Sequence, residues 1–325
     1  MNRRLLLTAS LCALVLPACG GGASGASSEA LQIAVVPKGT THEFWKSVHA
    51  GAKAAARDLG VEIIWKGPIR EDDRDEQIQI VENFVVRGVD GVVLMPMDRK
   101  ALVTPAEEAA GQGIPVVVAD SDLDWEGRTS FVATDNRRGG ELAAEALAEM
   151  MGGEGDVVML RYQEGSASTF EREEGFLEAI GRFDAINVIS SNQYAGATNE
   201  GAYQASENLL NSFEAVDGIF CPNESAAFGM LRALQDAGRT DAVSFVGFDA
   251  SDKLVEALRA GEIDALVLQD PVRMGDLAVR ACVSAVRGEP VEARIDTGVV
   301  VVPSSKIDDP SVQALLQPDL SILDE

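Results

Sequence analysis

Short apolar runs alternate with amphipathic segments along most of the chain. The runs are rich in valine, isoleucine and alanine and occupy residues 31–36, 61–65, 89–95, 114–119, 156–160, 218–221, 243–248 and 265–268. Because they are almost continuously apolar rather than strictly alternating, they predict parallel strands that are covered on both faces.

The segments between these runs carry apolar residues at helical spacing. One stripe is Phe44, Val48, Ala52, Ala55 and Leu59, a second is Ile78, Val81 and Val85, and a third is Leu142, Ala146 and Met150. Strands separated by helices predict right-handed βαβ units and a doubly wound sheet. A chain of 325 residues has more such units than one sheet holds comfortably, which favours two Rossmann-like α/β lobes. A (β/α)8 barrel is the structural alternative.

The first thirty residues are typical of an export signal. Arg3 and Arg4 precede an apolar stretch over residues 5–16, and small residues then lead to Cys19. This ending resembles the bacterial lipoprotein box, which predicts a lipidated Cys19 after a signal in residues 1–19; an ordinary signal peptide is the alternative. Residues 20–30 are rich in glycine and serine and predict a flexible linker to the folded part. We therefore expect a periplasmic or cell-envelope protein that is lipid-anchored to a membrane.

Charge and cysteine content narrow the classes of partner. The formal net charge is −25, which argues against binding nucleic acid or an anionic lipid surface. Of the four cysteines, Cys221 and Cys282 lie beyond the signal and linker, and export permits them to pair. Cys221 ends an apolar run and Cys282 lies in a helical segment, so two separate buried thiols are favoured.

The signatures of common catalytic and metal sites are absent. His42 and His49 are the only histidines, and on a helix their spacing of seven places them about 10 Å apart, too far to share a metal. No phosphate-binding Gly-Lys loop and no Gly-x-Ser-x-Gly elbow is present. The acidic residues at 120, 122 and 124 begin like a calcium loop but lack its glycine and final glutamate, and residues 71–76 read as a charged loop that caps the next helix. We expect no catalytic residue, no metal and no cofactor.

Ligands of doubly wound folds bind at the carboxyl ends of the strands, where this chain has polar loops and two adjacent aromatics. At these loops it resembles the type I periplasmic sugar-binding proteins, the ribose-binding group of ABC-importer receptors. The resemblance covers roughly residues 31–303. The segments that carry it are Phe44-Trp45, Gly51-Ala52, residues 114–120, Asp135-Asn136, Gly139-Gly140, residues 172–176, Asn223-Glu224, residues 229–234, residues 246–249 and Gln269.

The resemblance implies a ligand site shared by two lobes. Its aromatic positions fall on Phe44 and Trp45, whose faces would lie against the apolar C–H face of a sugar. The remaining implied contacts, which would include hydrogen bonds to hydroxyl groups, are His42, Asp120, Ser121, Arg172, Asn223, Asp249 and Gln269. Each residue also has a structural alternative: an aromatic of the pair can be core, Asp249 can cap a helix, and Arg172 can pair with Glu173 or Glu174 on the surface.

Departures from the ribose-binding pattern affect the expected ligand. His42 stands in place of an amide, Ser121 in place of an arginine, and Ala195-Gly196-Ala197 in place of an aromatic of the second lobe, with Tyr194 nearby. These changes imply a pocket that is not tuned to ribose and that takes another sugar or a related polyol.

The resemblance also implies the domain organisation and the mechanism. We expect an N-terminal lobe of residues 31–134 and 270–298, a C-terminal lobe of 135–269 and 299–310, and a tail of 311–325. The lobes would be joined by three hinge crossovers and would close over the ligand. We expect the protein to be a monomer whose partner is an ABC-transporter permease. Two alternatives remain: a sensor that feeds a kinase or chemoreceptor, and a secreted glycosidase that uses Asp120 and Asp249.

Overall fold

The computed structural model describes residues 30–325. The predicted signal in residues 1–19, the predicted linker up to residue 29 and the predicted lipidation site Cys19 lie outside the described residues. Within residues 30–325, none of the helices combines the length and the apolarity that a membrane crossing requires.

Six parallel strands form the first sheet. They are β1 (Gln32–Val36), β2 (Glu62–Trp65), β3 (Gly91–Leu94), β4 (Val116–Ala119), β5 (Ser130–Ala133) and β11 (Arg294–Asp296), in the order β11-β5-β4-β3-β1-β2. Four helices pack on this sheet: α1 (Glu43–Leu59), α2 (Arg74–Arg87), α3 (Val103–Gly111) and α9 (Pro271–Val286).

The second sheet repeats this order. Its strands are β6 (Glu154–Arg161), β7 (Ala185–Tyr194), β8 (Gly218–Phe220), β9 (Ser244–Phe248), β10 (Ala265–Gln269) and β12 (Val299–Pro303), in the order β12-β10-β9-β8-β6-β7. Only β12 runs antiparallel to its neighbour. The helices of this lobe are α4 (Asn136–Met150), α5 (Ala167–Ile180), α6 (Asn199–Ser212), α7 (Glu224–Ala237), α8 (Asp252–Ala260) and α10 (Pro310–Leu316).

Both faces of each sheet are buried, which explains why the strands are continuously apolar. In β1, Ile33 and Val35 face the core under α1 and α9, whereas Ala34 and Val36 face the core under α2 and α3. Strands β6, β8, β9 and β10 of the second sheet divide their side chains between two cores in the same way. Alternate residues therefore serve opposite cores, and no position along such a strand is free to be polar.

The chain crosses between the sheets three times. It leaves the first sheet after β5, returns after β10 to place α9 against α1, and crosses again between β11 and β12. The predicted fold class, two doubly wound lobes joined by three crossovers, is confirmed, and the alternative of a single closed barrel is wrong. The structure adds strands β5, β7, β11 and β12 to those predicted. In the edge strand β7 only Ile186 and Ser190 are buried, so it lacks a continuous apolar run.

Paired glycines set the packing of one helix pair in each lobe. A Cβ atom on Gly51 of α1 would lie 1.8 Å from the carbonyl oxygen of Val272 in α9, and one on Gly140 of α4 would lie 1.9 Å from that of Arg172 in α5. The buried residues of α4 are Ala143, Ala144, Leu147 and Ala148. Of the predicted stripe, Leu142 and Ala146 are only half-buried and Met150 packs against the edge of the core, so the buried face is displaced from the predicted one.

Candidate functional site

A small cavity of about 30 Å³ lies between the lobes, at the carboxyl ends of both sets of strands. The predicted residues that line it are His42, Phe44, Trp45, Asp120, Arg172, Asn223, Asp249 and Gln269. Its other lining residues are Lys38, Glu71, Tyr162, Ser168, Thr169 and Glu224. A larger surface groove lies at the opposite ends of the second-lobe strands, away from these polar groups. The cavity between the lobes is therefore the candidate site.

Two aspartates enter the cavity at equivalent places in the two lobes. Asp120 follows β4 and Asp249 follows β9, and both have left-handed backbone conformations, with φ of 59° and 70°. They are the only non-glycine residues with positive φ in the described part of the chain. Aspartate tolerates this conformation better than most residues, and such strain is concentrated at binding sites. The turn directs each carboxylate into the cleft instead of letting the strand continue.

The second lobe holds Asp249 with donors of its own. Gln269 Nε2 donates to Asp249 Oδ1 at 2.7 Å, and the Glu224 backbone N–H donates to Oδ2 at 3.1 Å. Burial raises the pKa of Asp249, although the nearby Arg172 and these hydrogen bonds oppose the rise. The Oε1 atom of Gln269 is buried and has no hydrogen-bond partner in the described part of the chain. It is an acceptor available to a ligand hydroxyl.

Arg172 lines the cavity, and its guanidinium makes two hydrogen bonds to residues of the second lobe. It donates to Asn136 Oδ1 at 2.8 Å and to the Pro222 carbonyl oxygen at 2.9 Å, and its Cζ lies 3.9 Å from the centre of the Phe248 ring. Glu173 and Glu174 pair instead with Arg161, so the surface-pair alternative for Arg172 is wrong. The cation faces Asp249 at 3.9 Å and balances its charge.

Asp249 is not a helix cap, since Ser251 caps α8 and accepts from the Leu254 backbone N–H. Asn223 does cap a helix: its Oδ1 accepts from the Ala226 backbone N–H at 3.3 Å at the start of α7. Asn223 therefore combines a structural role with its place in the cavity wall.

In the first lobe, Lys38 takes the position beside Asp120. Its Nζ lies 2.7 Å from Asp120 Oδ2 and 3.0 Å from Ser168 Oγ of the second lobe. Apart from the Lys38 ammonium, no described donor contacts Asp120 Oδ2, so this oxygen retains acceptor capacity. Ser121 does not line the cavity; its hydroxyl donates to Ser168 Oγ at 2.7 Å and joins the lobes behind the cavity wall.

A buried carboxylate, Glu71, lies beside the two aromatics. The Trp45 indole Nε1 donates to it at 2.5 Å, His42 Nδ1 lies 2.6 Å away, and the Tyr162 hydroxyl of the second lobe also donates to it. The Phe44 and Trp45 rings meet edge to face with centroids 4.9 Å apart. Both belong to the core of the first lobe and also line the cavity, so a core position does not prevent either ring from contacting a ligand.

Glu224 joins the lobes on the other side of the cavity. Its carboxylate accepts from the backbone N–H groups of Glu43 at 3.2 Å and Phe44 at 3.1 Å, at the start of α1. In return, Glu43 accepts from the Asp252 backbone N–H at 2.8 Å, at the start of α8. Each lobe thus supplies a carboxylate to a helix N-terminus of the other, where partial positive charge favours it. Burial raises the pKa of Glu224 to about 7, against the opposing effect of His42.

The sequence did not identify Lys38, Glu71 and Tyr162 as site residues, because they belong neither to the segments that carry the resemblance nor to a catalytic motif. Lys38 and Tyr162 follow strands β1 and β6, and position at a strand end is the signal that could have found them. Glu71 was interpreted as part of a charged loop. That interpretation is right for Asp73, which caps α2, but Glu71 itself is 5 % exposed and points inward. Among residues 30–325, no group of three or more His, Cys, Asp or Glu side chains is arranged to hold a metal.

The chain matches known proteins over most of its length. Residues 33–290 match the family described as periplasmic binding protein domain. The ribose import binding protein of Haemophilus influenzae is 30 % identical over 296 residues, which cover 91 % of this chain and 98 % of that protein.

Solved structures agree with this match. A carbohydrate transporter solute-binding protein from Agrobacterium radiobacter, in complex with D-arabinose, has 34 % identity and a TM-score of 0.86, covering 90 % of this chain and 100 % of its own. An ABC-transporter solute-binding protein from Agrobacterium vitis with bound D-fucose has 35 % identity and a TM-score of 0.85, covering 88 % of this chain and 99 % of its own.

Proposed function

The chain belongs to the periplasmic binding protein family, and from this premise we propose that it is the solute-binding receptor of an ABC sugar importer. It captures one neutral monosaccharide, or a related polyol, between its two lobes by hinge closure. Members of the family are binding proteins rather than enzymes, and the similar structures that hold D-arabinose and D-fucose support a sugar as ligand.

The observation that carries the proposal is the pairing of charges inside the cavity. Lys38 is balanced by Asp120, His42 by Glu71, and Arg172 by Asp249, with separations between 2.6 and 3.9 Å. The fourth carboxyl group, Glu224, is held by two backbone N–H groups, and burial raises its pKa to about 7, which reduces its charge. An ionised ligand would bring an unbalanced charge into this buried site, which is costly. A neutral polyol needs only donors and acceptors for its hydroxyls and a ring face for its C–H groups, and the cavity supplies both.

The cavity is narrow in this closed arrangement, with about 30 Å³ of free space, roughly that of one water molecule. We infer a small ligand, a single sugar ring rather than a disaccharide or a nucleoside, because the lobes must separate to admit any ligand and a larger one would hold them further apart. We also infer that D-ribose is not the preferred ligand, because Lys38 rather than an arginine at position 121 is the cation beside Asp120.

Contacts between the lobes support capture by closure. Tyr162 and Gln163 bind Glu71 on one side of the cavity, and Glu224 binds the start of α1 on the other. Closure makes these contacts and opening breaks them, so a ligand that bridges the lobes shifts the equilibrium toward the closed form. The permease then distinguishes the two forms. The lobes are assigned to residues 31–134 with 270–298 and 135–269 with 299–310, and residues 311–325 form the tail.

The leader supports a location at the cell envelope. We infer that residues 1–19 direct export and that Cys19 carries the lipid, with residues 20–30 as the linker from the membrane to a monomeric receptor. Mass spectrometry of the protein from its native membrane tests this assignment. A lipid adduct on an N-terminal Cys19 is the expected result, and an unmodified terminus at another residue contradicts it.

Thermal shift measurements with a ligand panel test the proposed function. The panel comprises D-arabinose, D-fucose, D-ribose, D-allose, myo-inositol, a disaccharide, and the charged analogues glucuronate and glucosamine. We expect a neutral monosaccharide or cyclitol to raise the Tm by several degrees, because a ligand that binds only the folded state stabilises it. A shift with glucuronate or glucosamine alone would contradict the charge argument.

A further inference from the structure

The buried residue Glu71 is not among the predicted ligand residues, yet it contacts four residues in and beside the cavity. It lies in the loop between β2 and α2 and is 5 % exposed. Its carboxylate accepts hydrogen bonds from the Trp45 indole N–H and the Tyr162 hydroxyl and pairs with His42 Nδ1. Its backbone carbonyl oxygen accepts a hydrogen bond from Gln163 Nε2 at 3.0 Å. Two of these partners belong to the first lobe and two to the second. Glu71 therefore connects Trp45 and His42 of the first lobe to Tyr162 and Gln163 of the second.

The loop after β1 is shaped to admit this side chain. A Cβ atom on Gly39 would lie 2.7 Å from Glu71 Cγ, closer than non-bonded carbons approach. Gly39 therefore leaves room for the glutamate between the strand-end loop and the cavity wall. Its neighbour Lys38 adds a positive charge near the carboxylate. The site is arranged for an ionised carboxylate at position 71.

Electrostatics at the pair agree with this geometry. Burial by itself lowers the pKa of His42, but the charge and hydrogen bond of Glu71, with smaller contributions from Glu224 and Asp249, raise it to about 9. Burial by itself raises the pKa of Glu71, but His42, Lys38 and Tyr162 together lower it to about 2. Near neutral pH the pair is imidazolium and carboxylate.

We propose that Glu71 is the positioning residue of the ligand site: it orients the Trp45 ring, holds His42 so that the other ring nitrogen donates to the ligand, and receives Tyr162 on closure. This inference rests on the proposed function and identifies what sets specificity within it. His42 lines the cavity and its Nδ1 is engaged by Glu71, which leaves Nε2 as the ring nitrogen that can donate to a ligand. A ligand oxygen acceptor is favoured there, and an ammonium group is disfavoured.

The charge state of His42 in the sugar-free protein tests the positioning role directly. Because His42 and His49 are the only histidines, His49→Gln leaves one imidazole for ¹⁵N NMR. His49 stacks on Trp65 and is not a lining residue of the cavity. We expect both ring nitrogens of His42 to be protonated at pH 7.5, and expect Glu71→Gln in the same background to give a neutral ring. A neutral His42 at pH 7.5 in the parent would overturn the proposal without any further variant.

Sugar affinity is the second readout. Glu71→Gln keeps the shape of the side chain but removes the charge, and it should weaken the Kd of the sugar identified by thermal shift roughly 10- to 100-fold, the loss expected for hydrogen bonds to a charged group. The control is Asp72→Asn, the adjacent exposed carboxylate, whose partner is the exposed Arg70. Asp72→Asn should leave the Kd within twofold of the parent.

The NMR spectra and the Kd measurements distinguish the role of Glu71 from the proposed function. A parent that binds no neutral sugar contradicts the proposed function, whereas the NMR spectra of the sugar-free protein still decide the role of Glu71. Glu71→Gln with a protonated His42 and a parental Kd would overturn the proposal, even if the variant were less stable.

Discussion

The contribution of one hydrogen bond to lobe closure can be measured by removing the hydroxyl oxygen of Tyr162. Its side chain is 1 % exposed, and its hydroxyl in the second lobe donates to Glu71 in the first. Tyr162→Phe removes this oxygen and keeps the ring that packs beneath it. Because the donor and the acceptor belong to different lobes, the hydrogen bond exists only in the closed form.

The size of the effect follows from the type of hydrogen bond. A hydrogen bond to a charged group contributes about 1.5–3 kcal/mol, and each 1.4 kcal/mol is a factor of ten in an equilibrium constant. Tyr162→Phe should therefore weaken sugar binding roughly 10- to 100-fold. The change should lie mainly in the dissociation rate, because the hydrogen bond forms after the encounter. The Tm of the sugar-free protein should change little, since the open form lacks the contact.

Calorimetry and stopped-flow kinetics on the variant and a matched control provide the assay. The control is Tyr203→Phe, which also removes a hydroxyl bonded to carboxylates, namely Glu207 at 2.8 Å and Asp236 at 3.1 Å, all within the second lobe. We expect a parental Kd for the control. A Kd within twofold of the parent for Tyr162→Phe would refute the reasoning, as would a loss of Tm in the sugar-free protein as large as in the complex.

Three further predictions concern packing, charge and pH. Gly140→Ala should lower the free energy of unfolding by about 1–3 kcal/mol or more, because its Cβ would meet the Arg172 carbonyl oxygen at 1.9 Å. Gly111→Ala, at the end of α3 with open space around it, should leave the free energy of unfolding in urea unchanged or raise it by up to about 1 kcal/mol. Asp249→Asn keeps the left-handed turn but leaves Arg172 unbalanced, so the sugar-induced Tm shift should be lost; a parental shift would contradict the assigned contact. Burial in the closed structure raises the pKa of the Glu224 carboxyl to about 7, although His42 and the N–H groups of Glu43 and Phe44 oppose the rise. We expect this carboxyl to be solvated and to have a lower pKa in the open form, so that the closed form binds an extra proton. Sugar affinity should then rise up to roughly tenfold from pH 8 to pH 6, and Glu224→Gln should flatten this component in calorimetry.

The sequence predicted the fold well because its dominant signal is burial. Strands such as β3 and β4 lie between two layers of helices, so they are apolar throughout and stand out against the amphipathic segments. The edge strand β7 has one exposed face and gives no such run. The buried stripe of α4 was misplaced because Gly140 allows α5 to approach closely, so alanines rather than the larger residues form the contact. Close helix packing depends on the partner helix, which a pattern within one helix does not contain.

The candidate site was predictable only in part. The resemblance marks residues such as Asp120 and Asp249, and the structure brings them into one cavity together with both aromatics. It does not mark Glu71, since the charged loop that contains it looks like other solvated loops. Its burial depends on Tyr162, which lies 91 positions away in the chain and reaches it only when the lobes meet. Contacts between the lobes are a property of the closed assembly, not of any local motif.

The central claim is that a neutral monosaccharide closes the two lobes around it. Small-angle X-ray scattering of the mature protein, with and without a saturating amount of the sugar that raises its Tm, measures this change directly. A decrease in the radius of gyration with the sugar, and none with glucuronate, is the predicted result. An unchanged radius of gyration at saturation would contradict closure as the mechanism of capture.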